Sequence, residues 1–198
     1  KYMKIENLSL VVDNINYLNQ INCDFDFNKI CALLGDTSVN VFLRVLCNLI
    51  QPTTGNIKFK TKAGLGFFLN DMHFITDFDT LETLEDISIT KLDKKETNDL
   101  LNKLDLFKDS KLKIKNYSEN MLKKLGILCT TLNNNKIILI EDVFKNLTPS
   151  DIDMVRDFLL DLKSNGYLII LTGRKKEEFT YFVDKICWLE RGILNEIL

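Results

Sequence analysis

Three short segments of the chain each contain four or five consecutive apolar residues, and this pattern constrains the fold most strongly. They read "KICALLG" (residues 29–35), "KIILIED" (136–142) and "YLIILTG" (167–173). Strands that are apolar on both faces are typical of parallel sheets that helices cover on both sides. Helical patterns separate these segments, so the sequence predicts a layered α/β fold with a mainly parallel core sheet.

Other segments extend this prediction on both sides of the core. Two strand-like segments, "MKIENLSLVV" and "INCDFDF", precede Gly35 and predict an N-terminal antiparallel β part. The segment from about residue 80 to 128 reads as helical and predicts an inserted helical subdomain. A helix that starts at Pro149 and a last helix in "EEFTYFVD" complete the pattern. The 198 residues are expected to form a single domain over 1–198.

Composition narrows the classes of function. The net charge of −2 argues against nucleic-acid binding through a basic face. The five cysteines are odd in number and form no C-x-x-C pair, which predicts buried free thiols in a reducing compartment. No uninterrupted apolar run approaches the ~20 residues that span a bilayer. The chain is therefore expected to be cytoplasmic, and to reach a membrane only through partner subunits.

The stretch "ALLGDTSVNVFLRVLCNLIQPTTGNIKF" (32–59) has the frame of a phosphate-binding loop: a buried strand that enters a glycine, a helix, a turn and a further strand. Five more segments follow it in a fixed order. They read "GLGFFLN", "TLETLEDI", "YSENMLKKLGI", "IILIEDVFKNLTPSD" and "LIILTGRKKEE". After them, "DKICWLERGIL" reads as the last strands of the chain.

In this order the segments resemble the nucleotide-binding domain of ABC transporters over nearly the whole chain. They correspond to Walker A, the Q-loop strand, the helix after it, the signature motif, Walker B with the D-loop, and the switch region. The resemblance implies a P-loop NTPase-like fold, ATP and Mg²⁺ as cofactors, and ATP hydrolysis as the family's activity.

The Walker A segment departs from the G-x-x-x-x-G-K-[ST] pattern, whose lysine neutralises phosphate and whose hydroxyl binds Mg²⁺. Counted from Gly35, the lysine and hydroxyl positions hold Val41 and Phe42. Counted back from Pro52, they hold Val39 and Asn40, so both registers place a valine at the lysine position. Thr37 and Ser38 are left as candidates for weak anion binding. The candidate cofactor-binding residues are Gly35, Asp36, Thr37, Ser38, Val39, Asn40, Val41 and Phe42.

The signature and Q-loop segments also depart from the family pattern. The L-S-G-G-Q sequence is replaced by "YSENM", in which Ser118 remains but Glu119 and Asn120 replace the glycines. A carboxylate about 4 Å from a phosphate charge costs roughly 4 kcal/mol at an effective dielectric constant near 20. Glu119 is therefore interpreted as a capping residue that stabilises the start of its own helix, in a signature motif that no longer binds phosphate. The Q-loop position holds Asn70, or His73 in an alternative register.

The Walker B segment keeps two acids in exchanged order, Glu141 and then Asp142, and Glu141 is a possible metal ligand. The switch histidine is replaced by Arg174. This arginine could bind phosphate, but the favoured expectation is that it pairs with Glu141 or Asp142 and closes an empty site. Arg44 is a further substitute cation, but it is expected to point elsewhere.

These departures predict a degenerate ATP-binding subunit that is catalytically weak or inactive. It would act on the inner face of the membrane with a transporter membrane subunit, and with a second ABC ATPase subunit or a second copy of itself. One alternative is an active ATPase in which Arg174 or Arg44 replaces the lysine and Glu141 and Asp142 hold Mg²⁺. The other is a soluble ABC-like scaffold or regulator without a transporter.

Overall fold

The computed structural model describes residues 2–198, which form nine strands and five α-helices. The strands are β1 (Tyr2–Val12), β2 (Ile15–Asp26), β3 (Lys29–Gly35), β4 (Thr54–Phe59), β5 (Gly64–Phe68), β6 (Asn135–Ile140), β7 (Leu168–Thr172), β8 (Lys185–Glu190) and β9 (Ile193–Glu196). The helices are α1 (Ser38–Leu46), α2 (Thr80–Ile87), α3 (Lys94–Lys103), α4 (Glu119–Cys129) and α5 (Pro149–Ser164). Single 3₁₀ turns occupy Ile114–Asn116 and Lys176–Glu178.

The core is a six-stranded sheet in the order β5-β6-β7-β3-β8-β9, in which only β9 runs antiparallel to its neighbour. The three fully apolar segments are its central strands β3, β6 and β7, which confirms the predicted parallel core. Along β3, Ile30, Ala32 and Leu34 pack on one face, and Cys31 and Leu33 pack on the other. Both faces are therefore buried, and this explains why these strands show no polar alternation.

A second, three-stranded antiparallel sheet has the order β2-β1-β4. It confirms the predicted N-terminal antiparallel part, but one of its strands lies outside the predicted location before Gly35. Strand β4 pairs with β1 through contacts such as Ile5 with Ile57. Gly55 allows this return because it has a φ of +83° and a Cβ there would lie 2.4 Å from the carbonyl oxygen of Asn7.

Helices α2, α3 and α4 lie within the segment predicted as a helical subdomain. Helix α2 starts at a capping box, in which the Asp79 carboxylate accepts from the Glu82 N–H and Glu82 accepts from the Asp79 N–H. Leu84 and Leu125 from these helices pack in the same apolar cluster as Ile138 of the core sheet. The division into a separate subdomain stays a prediction.

The predicted last helix is wrong, because only the single 3₁₀ turn Lys176–Glu178 forms before β8. The residues that follow, Thr180 to Val183, are β-branched or aromatic and have low helix propensity. Asp184 then fixes the chain to the core, since its carboxylate accepts the N–H of Ile30 at 2.8 Å. None of the helices formed by residues 2–198 combines the length and apolar character that crossing a bilayer requires.

Candidate functional site

The turn between β3 and α1 contains only two residues, Asp36 and Thr37, because α1 begins at Ser38. This length leaves no room for a loop of the G-x-x-x-x-G-K type between the strand and the helix. Val39 is buried in the apolar core, and Val41 packs against the same cluster. Neither side chain at the predicted lysine position therefore faces a site where phosphate could bind.

The remaining side chains of this segment are divided between core and surface. Phe42 is fully buried among the core residues between the two sheets. Thr37 and Asn40 are exposed, and the Thr37 side chain makes no capping hydrogen bond to α1. The predicted Walker A residues thus supply no cation to this turn.

Gly35 is required by strand pairing. Its φ is +140°, and a Cβ at this position would lie 1.8 Å from the carbonyl oxygen of Leu189 in β8. Only glycine permits this approach of two backbones. Strand pairing alone therefore explains why residue 35 is a glycine, without the phosphate-binding role predicted from the sequence.

Asp36 occupies the N-terminus of α1 with its own carboxylate. One carboxylate oxygen accepts the N–H of Ser38 at 2.8 Å, and the other accepts the N–H of Arg191 at 2.8 Å. The Ser38 hydroxyl accepts the N–H of Gly192 at 3.0 Å. A negative charge therefore already lies where a helix N-terminus would attract a phosphate.

The acidity of Asp36 reflects these contacts. Burial alone would raise the pKa of the Asp36 carboxyl, but hydrogen bonds from the backbone N–H of Arg191 and from Ser38 outweigh it and lower the pKa. A group with a lowered pKa in the folded state stabilises the protein above its unfolded pKa, and this contribution is lost as pH falls through the folded pKa.

We expect Asp36→Ala to reduce the free energy of unfolding by about 1 kcal/mol at pH 7, the usual effect of losing a helix-capping carboxylate. The difference from the parent should shrink as pH falls below about 4, the usual pKa of an Asp in an unfolded chain, and toward the lower pKa of the folded state, because protonation removes the contribution of the carboxylate. Urea unfolding at pH 7 and at about pH 3.5 measures both values. Asp36→Asn is the control: neither variant carries the carboxyl, so the stability difference between Asp36→Ala and Asp36→Asn should not depend on pH. A difference that grows on acidification would contradict this role.

The carboxyl end of β6 presents Glu141, which is only 2% exposed. The Arg44 guanidinium from α1 donates to one Glu141 oxygen at 3.0 Å and to the other at 3.4 Å. It also pairs with Asp71 at 3.0 Å and donates to the carbonyl of Asn40 at 3.1 Å. The guanidinium of Arg44, on the Walker A helix, thus neutralises the buried carboxylate of Glu141.

Asn70 joins the same cluster from the end of β5. Its backbone N–H donates to Glu141 at 2.8 Å, and its side-chain amide donates to Asp142 at 2.6 Å. Asp142 has a φ of +47°, and its N–H donates to the Thr172 hydroxyl at 2.9 Å. The structure therefore brings together three predicted site residues, Asn70, Glu141 and Asp142. His73, the alternative to Asn70, is exposed.

The predicted signature residues are all engaged within the chain. Ser118 is the N-cap of α4, and its hydroxyl accepts the N–H of Met121 at 3.2 Å. Glu119 lies in the first turn and accepts from the Asn146 amide at 3.3 Å. The Asn120 amide donates to Asp151 of α5. These contacts attach the start of α4 to the loop and helix that follow β6.

Comparison with known proteins connects this geometry to a family. No protein-family model matches the chain. The lantibiotic transport ATP-binding protein SrtF of Streptococcus pyogenes is 23% identical over an alignment that covers 96% of this chain and 87% of SrtF. The bacitracin transport ATP-binding protein BcrA of Enterococcus faecalis is 22% identical, with 98% and 68% covered. The chain is a homologue of ABC transporter ATP-binding proteins.

Solved ABC cassettes share the fold of this homologue. The dimeric bacterial ABC transporter cassette MJ0796 superposes with a TM-score of 0.86 at 16% identity, and 99% of each chain is covered. The ATP-binding subunit of another ABC transporter gives a TM-score of 0.88 at 17% identity, with 100% of this chain and 90% of that chain covered. The predicted α/β ABC-type fold is confirmed.

Two expectations for the cations of this ABC-type chain were wrong. Arg44 was expected to point elsewhere, but its guanidinium reaches from α1 to the Glu141 carboxylate at the end of β6. Arg174 was expected to pair with Glu141 or Asp142. It is exposed and makes neither ion pair within residues 2–198. The pairing with Glu141 is therefore made by the arginine of the Walker A helix.

The cluster does not fit Mg²⁺, the cofactor that the ABC resemblance implies. Arg44 and the Asn70 N–H already bind the carboxylate of Glu141, and a guanidinium 3.0 Å away would repel a divalent cation. Within residues 2–198, no group of three or more His, Cys, Asp or Glu side chains is arranged to hold a metal ion. No metal-dependent step follows from these residues.

Sequence reasoning missed Lys123, a side chain of α4 that is only 7% exposed. Its ammonium donates to the backbone carbonyl of Glu141 at 2.8 Å and lies 5.5 Å from the Phe68 ring centroid. Burial lowers the pKa of Lys123 to about 8, although Asp142 and Glu141 oppose this shift. The available signal was the lysine pair inside the apolar pattern "MLKKLGI".

Proposed function

We propose that the chain is a degenerate ABC-type subunit that retains the fold and docking surfaces of its relatives without hydrolysing ATP. The observation that carries this proposal is the ion pair between Arg44 and the buried carboxylate of Glu141. By the Walker B resemblance, Glu141 corresponds to the acid that supports Mg²⁺ in an ABC ATPase, and here Arg44 binds that carboxylate. The short turn after Gly35 also supports the proposed loss of ATP hydrolysis, because it supplies no lysine to bind phosphate.

Electrostatics supports the absence of tight ATP binding. A triphosphate at the start of α1 would face the carboxylate of Asp36, and a unit-charge pair about 4 Å apart costs roughly 4 kcal/mol at an effective dielectric constant near 20. Arg44, the cation of α1 itself, is already bound to Glu141 and Asp71. The pair also fixes the relative positions of α1, the residues after β5 and the end of β6. We infer that these three parts of the chain keep their relative positions when no nucleotide is bound.

Partner subunits complete the proposed function. SrtF and BcrA are described as transport ATP-binding proteins, and MJ0796 is a dimeric cassette that has also been captured with ADP and Pi. By analogy, this chain would associate on the cytoplasmic side with a membrane subunit and with a competent ATPase or a second copy of itself. We do not expect nucleic acid as a partner.

A groove between the residues after β5 and the start of α4 is the candidate surface for the membrane subunit. It encloses about 380 Å³. Phe68 and Phe74 stack along it with ring centroids 5.9 Å apart, and Ile75 beside them is 50% exposed. Exposed apolar side chains next to a preformed aromatic pair favour protein contacts. Phe67 packs in the core and is excluded from this surface, and Phe78 is half-buried.

Calorimetric titration with Mg·ATP tests the loss of nucleotide chemistry. We expect no binding in the micromolar range and no turnover, since ~1 μM affinity requires about 8 kcal/mol of binding free energy. Val39→Lys and Val41→Lys should not restore hydrolysis, because the Arg44–Glu141 pair and the altered signature remain. Micromolar binding with measurable turnover would instead support the active ATPase with substituted residues.

Isolation from native membranes separates the transporter role from the scaffold alternative. Co-purification with a multispanning membrane protein and a second ABC ATP-binding subunit supports the proposal. Recovery with soluble proteins alone would support the scaffold. Ile75→Asp should weaken membrane-subunit binding, and Leu160→Asp on the exposed part of α5 is the matched control.

A further inference from the structure

A cavity of about 600 Å³ lies between the outer strands of the two sheets. Strand β4 is the outer strand of the three-stranded sheet, and β5 is the outer strand of the six-stranded sheet. Both strands border the cavity, and the end of α1 forms its third side. Residues 60–63, which connect β4 to β5, do not border it. The gap between the two sheet edges is therefore left unfilled by residues 2–198.

The walls of this cavity are apolar. Val45 and Leu46 of α1 are each 1% exposed and belong to the core cluster between the sheets. Leu65 and Phe67 lie two residues apart on β5, so they share one face of the strand, and both pack against that cluster. Phe59 of β4 borders the cavity and is 46% exposed. A ligand here would remove apolar surface from water, and this burial favours binding.

The lining of the cavity carries no formal charge. Charged residues make up 27% of the chain, but none of the twelve described residues that border the cavity is charged. The thiol of Cys47, which borders it, is also neutral, because burial raises the pKa of Cys47 to about 12. A charged ligand would lose its hydration here without gaining a counter-charge. The lining therefore favours a neutral molecule.

Three amide side chains at the cavity, Asn48, Gln51 and Asn56, supply its polar contacts. The Gln51 amide donates to the side-chain oxygen of Asn48 at 2.8 Å. Within residues 2–198, the Asn56 side chain forms no hydrogen bond, so it can donate to a ligand or accept from it. A few polar groups in a mainly apolar cavity of ~300–1,000 Å³ are typical of small-molecule sites.

We propose that this cavity binds a neutral, mainly apolar small molecule that carries a hydrogen-bonding group. The walls formed by α1, β4 and β5 bury its hydrocarbon part, and the Asn56 amide bonds to its polar group. The cavity shares no lining residue with the groove at Phe68 and Phe74. The inference therefore does not depend on the proposed binding of a membrane subunit.

Fluorescence titration of the intact chain with N-phenylnaphthylamine tests the site, because this neutral dye becomes brighter in apolar surroundings. Anilinonaphthalene sulfonate has the same ring skeleton with an added sulfonate, so the two dyes together measure the effect of charge. We expect a dissociation constant of about 10 μM for the neutral dye. The sulfonate should bind at least about tenfold more weakly, because its charge finds no counter-charge in the cavity. Equal affinities for the two dyes would contradict a neutral site.

Variants of the lining locate the bound dye. Phe59→Ser removes an exposed wall and Leu65→Trp fills part of the volume, so each should weaken binding of the neutral dye about fivefold. Gln51→Lys places a cation at the cavity and should shift the preference toward the sulfonate. Phe107→Ser is the matched control, since Phe107 is 43% exposed and lies outside the cavity, and it should have no effect. Circular dichroism checks that each variant is folded.

Three outcomes would overturn the proposal. The first is absence of binding of the neutral dye up to ~50 μM. The second is an equal loss of binding in Phe59→Ser and Phe107→Ser. The third is a loss in Ile75→Asp alone, which would place the dye in the groove for the membrane subunit. None of these results bears on ATP turnover or on co-purification with a membrane protein, so failure of this site leaves the proposed function standing.

Discussion

Gly35→Ala is expected to lower the free energy of unfolding by at least about 4 kcal/mol, a loss that few single substitutions reach. The added Cβ would lie 1.8 Å from the carbonyl oxygen of Leu189, and the positions of both atoms are fixed by the backbones of the paired strands β3 and β8. No side-chain rotation can relieve that contact. The φ of +140° adds conformational strain for any residue with a Cβ. Urea unfolding followed by circular dichroism measures the loss.

Gly166→Ala is the matched control for this substitution. Gly166 also has a positive φ, of +89°, but the nearest atom to an added Cβ is 3.7 Å away. Gly166→Ala should therefore lower the free energy of unfolding by only about 1 kcal/mol, the cost of placing an alanine at a positive φ. If Gly35→Ala cost no more than Gly166→Ala, strand pairing would not require this glycine, and a phosphate-binding role would again be the better explanation.

Arg44→Met is expected to lower the free energy of unfolding by about 3 kcal/mol. Methionine keeps most of the volume, but it leaves the buried carboxylate of Glu141 without a counter-charge, and breaking buried pairs typically costs about 3–5 kcal/mol. The value lies at the lower end because the Asn70 N–H still donates to Glu141 at 2.8 Å. The same urea unfolding measurement applies.

Two further variants show whether the loss comes from the unpaired charge. The double variant Arg44→Met/Glu141→Gln should be more stable than Arg44→Met alone, because the neutral amide costs less to bury than a carboxylate. Lys103→Met removes the exposed pair with Asp161, which is 2.7 Å long, and should cost under about 1 kcal/mol. Equal losses for Arg44→Met and Lys103→Met would show that the Arg44–Glu141 pair does not seal the site.

The fold was largely predictable because its signals are local. Strands β3, β6 and β7 are buried on both faces, so each carries a continuous apolar run that can be read without knowing its neighbours. Helix α5 was equally clear, since Pro149 and Ser150 mark its start, and Gly166, with its positive φ, follows its end. The last predicted helix failed because tertiary anchoring at Asp184 outweighed a weak helical pattern.

The candidate site was predictable in its members but not in their pairing. Sequence order identified Asn70, Glu141 and Asp142, which the fold brings together at the ends of β5 and β6. The pairing was assigned to Arg174 and not to Arg44, and this was wrong because Arg44 lies 97 residues from Glu141 along the chain, so the sequence does not show their proximity. Lys123 was missed because a lysine in a helix is usually exposed, and its burial depends on packing against β5 and β6.

The sequence by itself determined the layered α/β architecture and the absence of a lysine at the phosphate-binding position, because apolar periodicity and residue identity are local properties of the chain. Only the tertiary structure decided which groups occupy the start of α1 and the end of β6: the Asp36 carboxylate, and the Arg44 guanidinium paired with Glu141. Arg44 reaches Glu141 across 97 residues of sequence, and Asp36 reaches the N–H of Arg191 across 155, because the packed sheet and helix bring these groups within hydrogen-bonding distance.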